Sequence, residues 1–428
     1  MKKLIIKLNQ YFYYGWIIVV VSGIALFMSA PGQTYSISVF INAYEKQFDY
    51  SSTLISSAYS IATTISGLLL IFVGKSIDKY GTRKMMMVIG FLLALTAFYN
   101  SFVSNIIMIF FGFFMLRYFG QGSMTLLPNA LVPQWFSKHR ALAISLSSIG
   151  GLIATLAVPS FNLWMINQFG WQTSWRIWSI ILILVFLPLV YIFIGNQPED
   201  YGLTVENEDL SDHHVHLKAM TKIKKESFSL KEALRTRSFW FAGIISMLPS
   251  MFTTGMTFHF FNIMALRNLS EQQSAFIIGL VALPAFFIPF IAKPVIDKYP
   301  VKNVLKLTNL IMILSMFFLL FGVINFATAI IFILFYGLGV AIQAVSLNVL
   351  WPNYFGRLHL GSIRSVATVF MVLGSALGPL PFGLSYDLSG DYIYAIVGNI
   401  GFALMTLTLS FFISKPKKEA INKMKSEV

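Results

Sequence analysis

Long apolar stretches, repeated along the whole chain and broken only by short polar turns, decide what this sequence can become. A bilayer's hydrocarbon core is about 30 Å thick, and a helix needs about 20 mostly apolar residues to cross it. Twelve stretches meet that length: residues 14–42, 52–74, 85–103, 106–132, 141–166, 174–196, 238–266, 271–296, 304–324, 327–354, 364–385 and 392–414. Inside lipid the backbone must satisfy its own polar groups, so each stretch is predicted to be a helix rather than an open strand. Composition closes off a soluble alternative. Of 428 residues, 57% are hydrophobic and 11% charged, whereas a soluble chain carries roughly a quarter charged residues. The sequence therefore reads as an all-α, multi-pass protein of the cell inner membrane.

Basic residues give the orientation. Of 31 Lys and Arg, 27 fall in the N-terminus, the loops after even-numbered spans and the C-terminal tail. Lys46, Arg176 and Arg267 lie on the opposite side, and Arg117 lies inside a span. Cytoplasmic loops collect Lys and Arg, so both termini are expected in the cytoplasm. The net charge of +14 is thus a topology signal and a contact for anionic membrane lipid, not a nucleic-acid surface. No cysteine is present, which excludes disulfides, thiolate metal sites and cysteine nucleophiles. The first apolar run is too long for a signal-peptide core and has no cleavage site. His213, His214 and His216 stand together in the longest polar stretch. They read as part of a solvated linker rather than a metal site, since nothing nearby would support the ligands.

The two halves repeat. Asp78, Lys79 and Tyr80 match Asp297, Lys298 and Tyr299 at an offset of 219 residues, and Gly120 matches Gly339. Asn129, Pro133 and Phe136 match Asn348, Pro352 and Phe355 at the same offset. Beyond a five-residue insertion around 357–362 the offset becomes 224, pairing Arg140 with Arg364 and Gly150 with Gly374. The expected fold is two pseudo-symmetric six-helix bundles, 1–196 and 238–414, joined by a cytoplasmic linker at 197–237 and followed by a basic tail at 415–428. Parallel repeats of this kind characterise transporters, with the substrate site at the repeat interface.

Between spans two and three stands Gly74-Lys75-Ser76-Ile77-Asp78-Lys79-Tyr80-Gly81-Thr82-Arg83-Lys84. This resembles the G-x-x-x-D-R/K-x-G-x-R/K-R/K loop of the major facilitator superfamily at every defined position. The second copy keeps Asp297 and Lys302 but has Lys293 and Pro300 in place of the glycines. Helix N-termini carry partial positive charge and unpaired N–H groups. Asp78 is therefore expected to latch the start of span eleven, Asp297 the start of span five, and Arg83 to hold the loop. Shorter strings resemble the oxalate/formate antiporter and monocarboxylate transporter branch: Tyr14-Gly15-Trp16, Tyr35-Ser36, Trp135-Phe136 with Arg140, Pro198 to Leu203, and Leu234 to Trp240. Oxalate-type members hold their anion with an arginine in span eight and a lysine in span eleven. Here those positions are Pro289 and Leu373, so the resemblance does not extend to oxalate.

Arg117 remains as the basic residue well inside a span. Counted from Asn105 it lies about 18 Å into the helix at 1.5 Å per residue, where insertion costs roughly 3 kcal/mol. Two readings stand open: a clamp for a carboxylate, which a planar guanidinium meets with two donors, or a structural bond to span one. All eight Asp and nine Glu fall in loops or at span ends, so a cavity with one cation favours an anionic cargo. Efflux of cationic drugs, which needs a buried carboxylate, is disfavoured. Tyr35, Tyr59, Gln33, Gln121 and Gln343 are candidate cavity-lining groups, and His259 a candidate proton relay. No phosphate-binding G-x-x-x-x-G-K-S/T loop occurs, so ATP is not the energy source. No cofactor, metal or catalytic chemistry is expected. The sequence reads as a monomeric secondary transporter of a small organic anion, a monocarboxylate, coupled to protons or working by exchange. The alternatives are an exporter of amphipathic or neutral compounds with the same fold, and a non-transporting membrane sensor.

Overall fold

A computed structural model describes residues 2–136, 139–203, 228–356 and 360–416. Among these residues every regular element is helical. Eleven helices are long and apolar enough to cross a membrane, and one of them, Leu142–Phe193, has 52 residues. At 1.5 Å per residue it would run about 78 Å, more than twice a bilayer core. It is two crossings, because the backbone leaves the helix at Gly170 with φ 78° and ψ 161°. A side chain there would be strained; glycine is not. Among the described residues the crossings therefore number twelve, as the apolar stretches imply.

Several spans are interrupted within the apolar run. Span one consists of Gly15–Met28, a 3₁₀ turn at Ala30–Gly32 and Thr34–Phe48. Pro31 cannot donate the bond that an unbroken helix needs. Span four runs from Ile106–Met115 through a π-helical stretch at Leu116–Ser123 to Met124–Trp135. Such wide turns occur mostly where a helix serves a function. Span starts follow local chemistry: the side chains of Ser51, Asn105 and Asn325 accept the backbone N–H of Leu54, Met108 and Thr328, satisfying donors left free at a helix N-terminus.

Packing groups the chain differently from its covalent order. One unit comprises Met1–Glu208 with Thr257–Ala282, the other Asp209–Met256 with Leu283–Val428. The far end of span seven and the start of span eight join the first unit through specific contacts. Phe258, Phe261 and Ala275 lie in the same core as spans one to six. Gly279 sits so close to span five that a Cβ would stand 2.5 Å from the Leu156 carbonyl oxygen. The second unit has its own core, with Phe239, Leu305, Trp351, Phe355 and Ile363 buried together. Large apolar side chains such as Phe72, Ile107, Phe321 and Leu388 face outward, which is stable in lipid and not in water.

Candidate substrate site

The break in span one meets the π stretch of span four backbone to backbone. A Cβ on Gly32 would lie 2.2 Å from the Leu116 carbonyl oxygen, and one on Gly120 2.7 Å from Gly32 Cα. Two glycines permit this approach, and it sets Thr34 beside Arg117. Arg117 Nη1 donates to Thr34 Oγ1 at 3.2 Å. Thr34 Oγ1 in turn lies 2.8 Å from the Tyr59 hydroxyl, and the guanidinium carbon sits 5.2 Å from the Tyr59 ring centre. The arginine is 4% exposed, its Nε has no hydrogen-bond partner, and among the described residues no carboxylate pairs with it. A buried cation held by two neutral hydroxyls, those of Thr34 and Tyr59, and by the Tyr59 ring keeps donor capacity for an anion.

Around this centre the Tyr59 ring packs on Phe258 at 4.5 Å and Phe113 at 5.5 Å. The next residue, His259, is 1% exposed and its Nε2 lies 3.0 Å from Ser56 Oγ. A turn further on, Asn262 Nδ2 donates to Glu45 Oε2 at 3.0 Å, and Ser52 Oγ donates to Glu45 Oε1 at 2.5 Å.

Of the residues singled out in the sequence, Arg117 and Tyr59 meet directly and His259 adjoins them through Phe258. Gln33 precedes the second part of span one, and its Nε2 donates to Ser29 Oγ at 3.1 Å. Tyr35 faces Thr155 of span five. Gln121 lies in the π stretch, its backbone carbonyl accepting from Thr125 Oγ1 at 2.5 Å. Gln343 belongs to the second unit, where its Nε2 donates to the Ile245 carbonyl at 3.2 Å and its Oε1 is buried without a partner. Thr34, Ser56 and Phe258 escaped the sequence reading. The Pro31-Gly32 break was the available signal for Thr34; nothing comparable marks the other two.

The loop motif is clasped to the end of span six. Gly81 turns the chain at φ 81° and ψ 153°, against Asn196, whose amide a Cβ would meet at 2.9 Å. Arg83 donates its backbone N–H to Asn196 Oδ1 at 2.8 Å and its Nη2 to the Tyr191 carbonyl at 2.7 Å. Trp135 Nε1 donates to the Asn196 carbonyl at 3.2 Å. Tyr14 donates to the Phe193 carbonyl at 2.8 Å. Gly74 faces open space on the Ser52–Tyr80 helix, and Lys302 lies in the first turn of Val301–Phe321. The side chains of Asp78 and Asp297, and all of His213, His214 and His216, lie outside the described residues.

Twelve crossings in two helical units, with buried polar side chains inside the membrane region, have the architecture of a membrane transporter. The model described as Major Facilitator Superfamily matches residues 16–379 and 250–427, and the chain belongs to that superfamily. It is 23% identical over 369 residues to the glucose transporter GlcP of Staphylococcus epidermidis, covering 79% of this chain and 80% of the relative. It is 21% identical over 415 residues to human monocarboxylate transporter 2, covering 89% and 81%. Among solved structures, the nucleoside transporter NupG superposes with a TM-score of 0.71 at 13% identity, covering 94% of this chain and 100% of that one.

Proposed function

We propose that this transporter moves a small organic anion, a monocarboxylate, by alternating access, with both termini in the cytoplasm and Arg117 holding the carboxylate. The observation that carries the reading is the Arg117 guanidinium: buried, without a carboxylate partner among the described residues, and with its Nε unbonded. An arginine at that depth is costly and persists where it serves the pathway. The similarity to a monocarboxylate transporter supports the same cargo. On this reading Thr34 and Tyr59 hold the guanidinium until the anion arrives, and the loop around Gly81 and Arg83 belongs to the gate on the side of the termini.

The test is uptake by purified protein in liposomes. Labelled lactate, pyruvate and formate are compared with glucose and uridine, with and without a pH gradient. Saturable uptake of a monocarboxylate, lost at least a hundredfold in Arg117→Ala and partly kept in Arg117→Lys, is expected. Uptake of glucose or uridine alone, or anion transport intact in a folded Arg117→Ala protein, overturns the assignment.

A further inference from the structure

His259 is the one histidine of six that falls inside a predicted span, and it stands at a break. The helix Arg237–Phe258 ends immediately before it, its backbone has φ −97° and ψ 11°, and Phe260–Ala265 begins immediately after. Its neighbours tie it to Arg117. Phe258 packs on Tyr59, whose ring lies against the guanidinium, and His259 itself faces Ser56. Ser56 and Tyr59 are three residues apart on one helix, so their side chains are neighbours about 5–6 Å apart. Imidazole and guanidinium thus flank one turn of span two, both buried, where salt screens little.

We infer that His259 binds the coupling proton, and that this proton and the anion on Arg117 bind cooperatively. The inference rests on the anion reading above. With the site empty, the guanidinium disfavours a second cation at His259. A carboxylate on Arg117 removes that repulsion and lets His259 protonate. By linkage the effect is reciprocal: a proton on His259 raises anion affinity by the same factor. An imidazole is suited to this because its ordinary titration lies between pH 5 and 8. The other charged or titratable groups around it are Tyr59 on span two, Glu45 and Lys46 at the end of span one, and Arg267 and Glu271 beyond its own segment. Glu45 is occupied by Ser52 and Asn262, and Lys46 pairs with Glu271 at 3.8 Å. Of these, Tyr59 alone stands on the turn of span two that His259 and Arg117 flank.

A path for the proton continues along the same face. Ser60 and Thr63 follow Ser56 at four and seven residues, 7% and 3% exposed, and their hydroxyls are buried without partners. Hydroxyls in that condition are the sites buried water occupies. Span two therefore offers a line of hydroxyls from His259 towards the other end of the helix. One proton and one monocarboxylate crossing together carry no net charge.

The experiment uses the full chain in liposomes loaded with a pH-sensitive dye, with labelled lactate outside. In the wild type, an acid exterior should drive lactate accumulation with lumenal acidification, and an imposed membrane potential should change the rate less than twofold. His259→Gln should lose gradient-driven accumulation and the dye signal at least tenfold, and its lactate affinity should no longer rise as the pH falls. His259→Asn serves if the first variant does not fold. Ser56→Ala, which removes the group positioning the ring, should shift the pH profile of uptake while exchange persists. Accumulation and dye signal unchanged in both His259 variants, or wild-type lactate uptake that moves no protons, overturns the inference and leaves the anion reading standing. Wild-type protein that exchanges no monocarboxylate overturns both.

Discussion

The two units present the same contact with different chemistry. In the first, Thr34 bonds Arg117; in the second, Thr253 bonds Tyr336. Both members are displaced by the 219 residues that relate the halves. A hydroxyl on the first span of each repeat thus grips the fourth span at the same place, and the repeat has kept the grip while changing what is gripped. The second unit's polar groups nearby are neutral: Thr254 lies 2.9 Å from Ser375 Oγ, and Gln343 donates to a backbone carbonyl. Among the described residues the buried arginine at this contact belongs to the first repeat.

The largest effect should come from erasing that asymmetry. Arg117→Tyr makes the first unit resemble the second; it should lower monocarboxylate uptake at least a hundredfold, corresponding to about 2.7 kcal/mol or more of lost binding. Tyr336→Phe breaks the matching bond in the second unit without touching a charge. A neutral hydrogen bond contributes about 1 kcal/mol net, so uptake should fall no more than about fivefold. Equal losses in the two variants, measured in liposomes at matched protein density, would show that the contact matters and the charge does not.

A second comparison concerns the glycines that let the helices approach. A Cβ on Gly120 would meet the backbone of Gly32 at 2.7 Å and 2.9 Å, whereas one on its counterpart Gly339 would meet only side-chain atoms of Ile311 and Met312 at 3.0 Å and 3.2 Å. Backbone cannot yield as a methyl can. Gly120→Ala should cost about 2–3 kcal/mol and disturb Arg117 with it, while Gly339→Ala should cost less than about 1 kcal/mol. Thermal unfolding in detergent, read alongside lactate affinity, checks both. A Gly339 variant as damaged as the Gly120 variant would mean that the two crossings are equally tight.

These pairs show what a sequence of this kind discloses. Twelve crossings could be read because lipid forces each into a helix of known length, and even the merged run at Leu142–Phe193 divides at Gly170, between the apolar stretches 141–166 and 174–196. Arg117 stood out because a charge in an apolar run is conspicuous. Its partner did not: Gln33 and Tyr35 flank Thr34 and seemed better candidates, but the turn at Ala30–Gly32 resets the helical phase and leaves Thr34 facing span four. The π stretch at Leu116–Ser123 has the same consequence, since one extra residue in a turn rotates everything beyond it. Nothing in hydropathy records either shift. The contacts of Phe258 and His259 with span two were equally hidden, because they depend on the far end of span seven packing with the first half of the chain.

The smallest and cleanest contrast lies in the loop motif, where the repeat solves one turn in two ways. Gly81 has φ 81° and ψ 153°, a region that only glycine enters without strain. At the equivalent position Pro300 has φ −54° and ψ 132°, within the range its ring fixes. The first copy needs a positive φ because the chain must pass close to Asn196, which holds the backbone of Arg83; the second copy ends one helix and starts the next with an ordinary extended residue. Gly81→Ala should therefore cost about 1 kcal/mol or somewhat more and loosen the Arg83 clasp, visible as faster amide exchange at residues 81–84. Pro300→Gly should cost about 0.5 kcal/mol, mainly by freeing the unfolded chain, with exchange at 81–84 unchanged. If Gly81→Ala left both stability and exchange untouched, the left-handed turn would be an accommodation to the glycine rather than a requirement of the clasp, and the two copies would be interchangeable in shape after all.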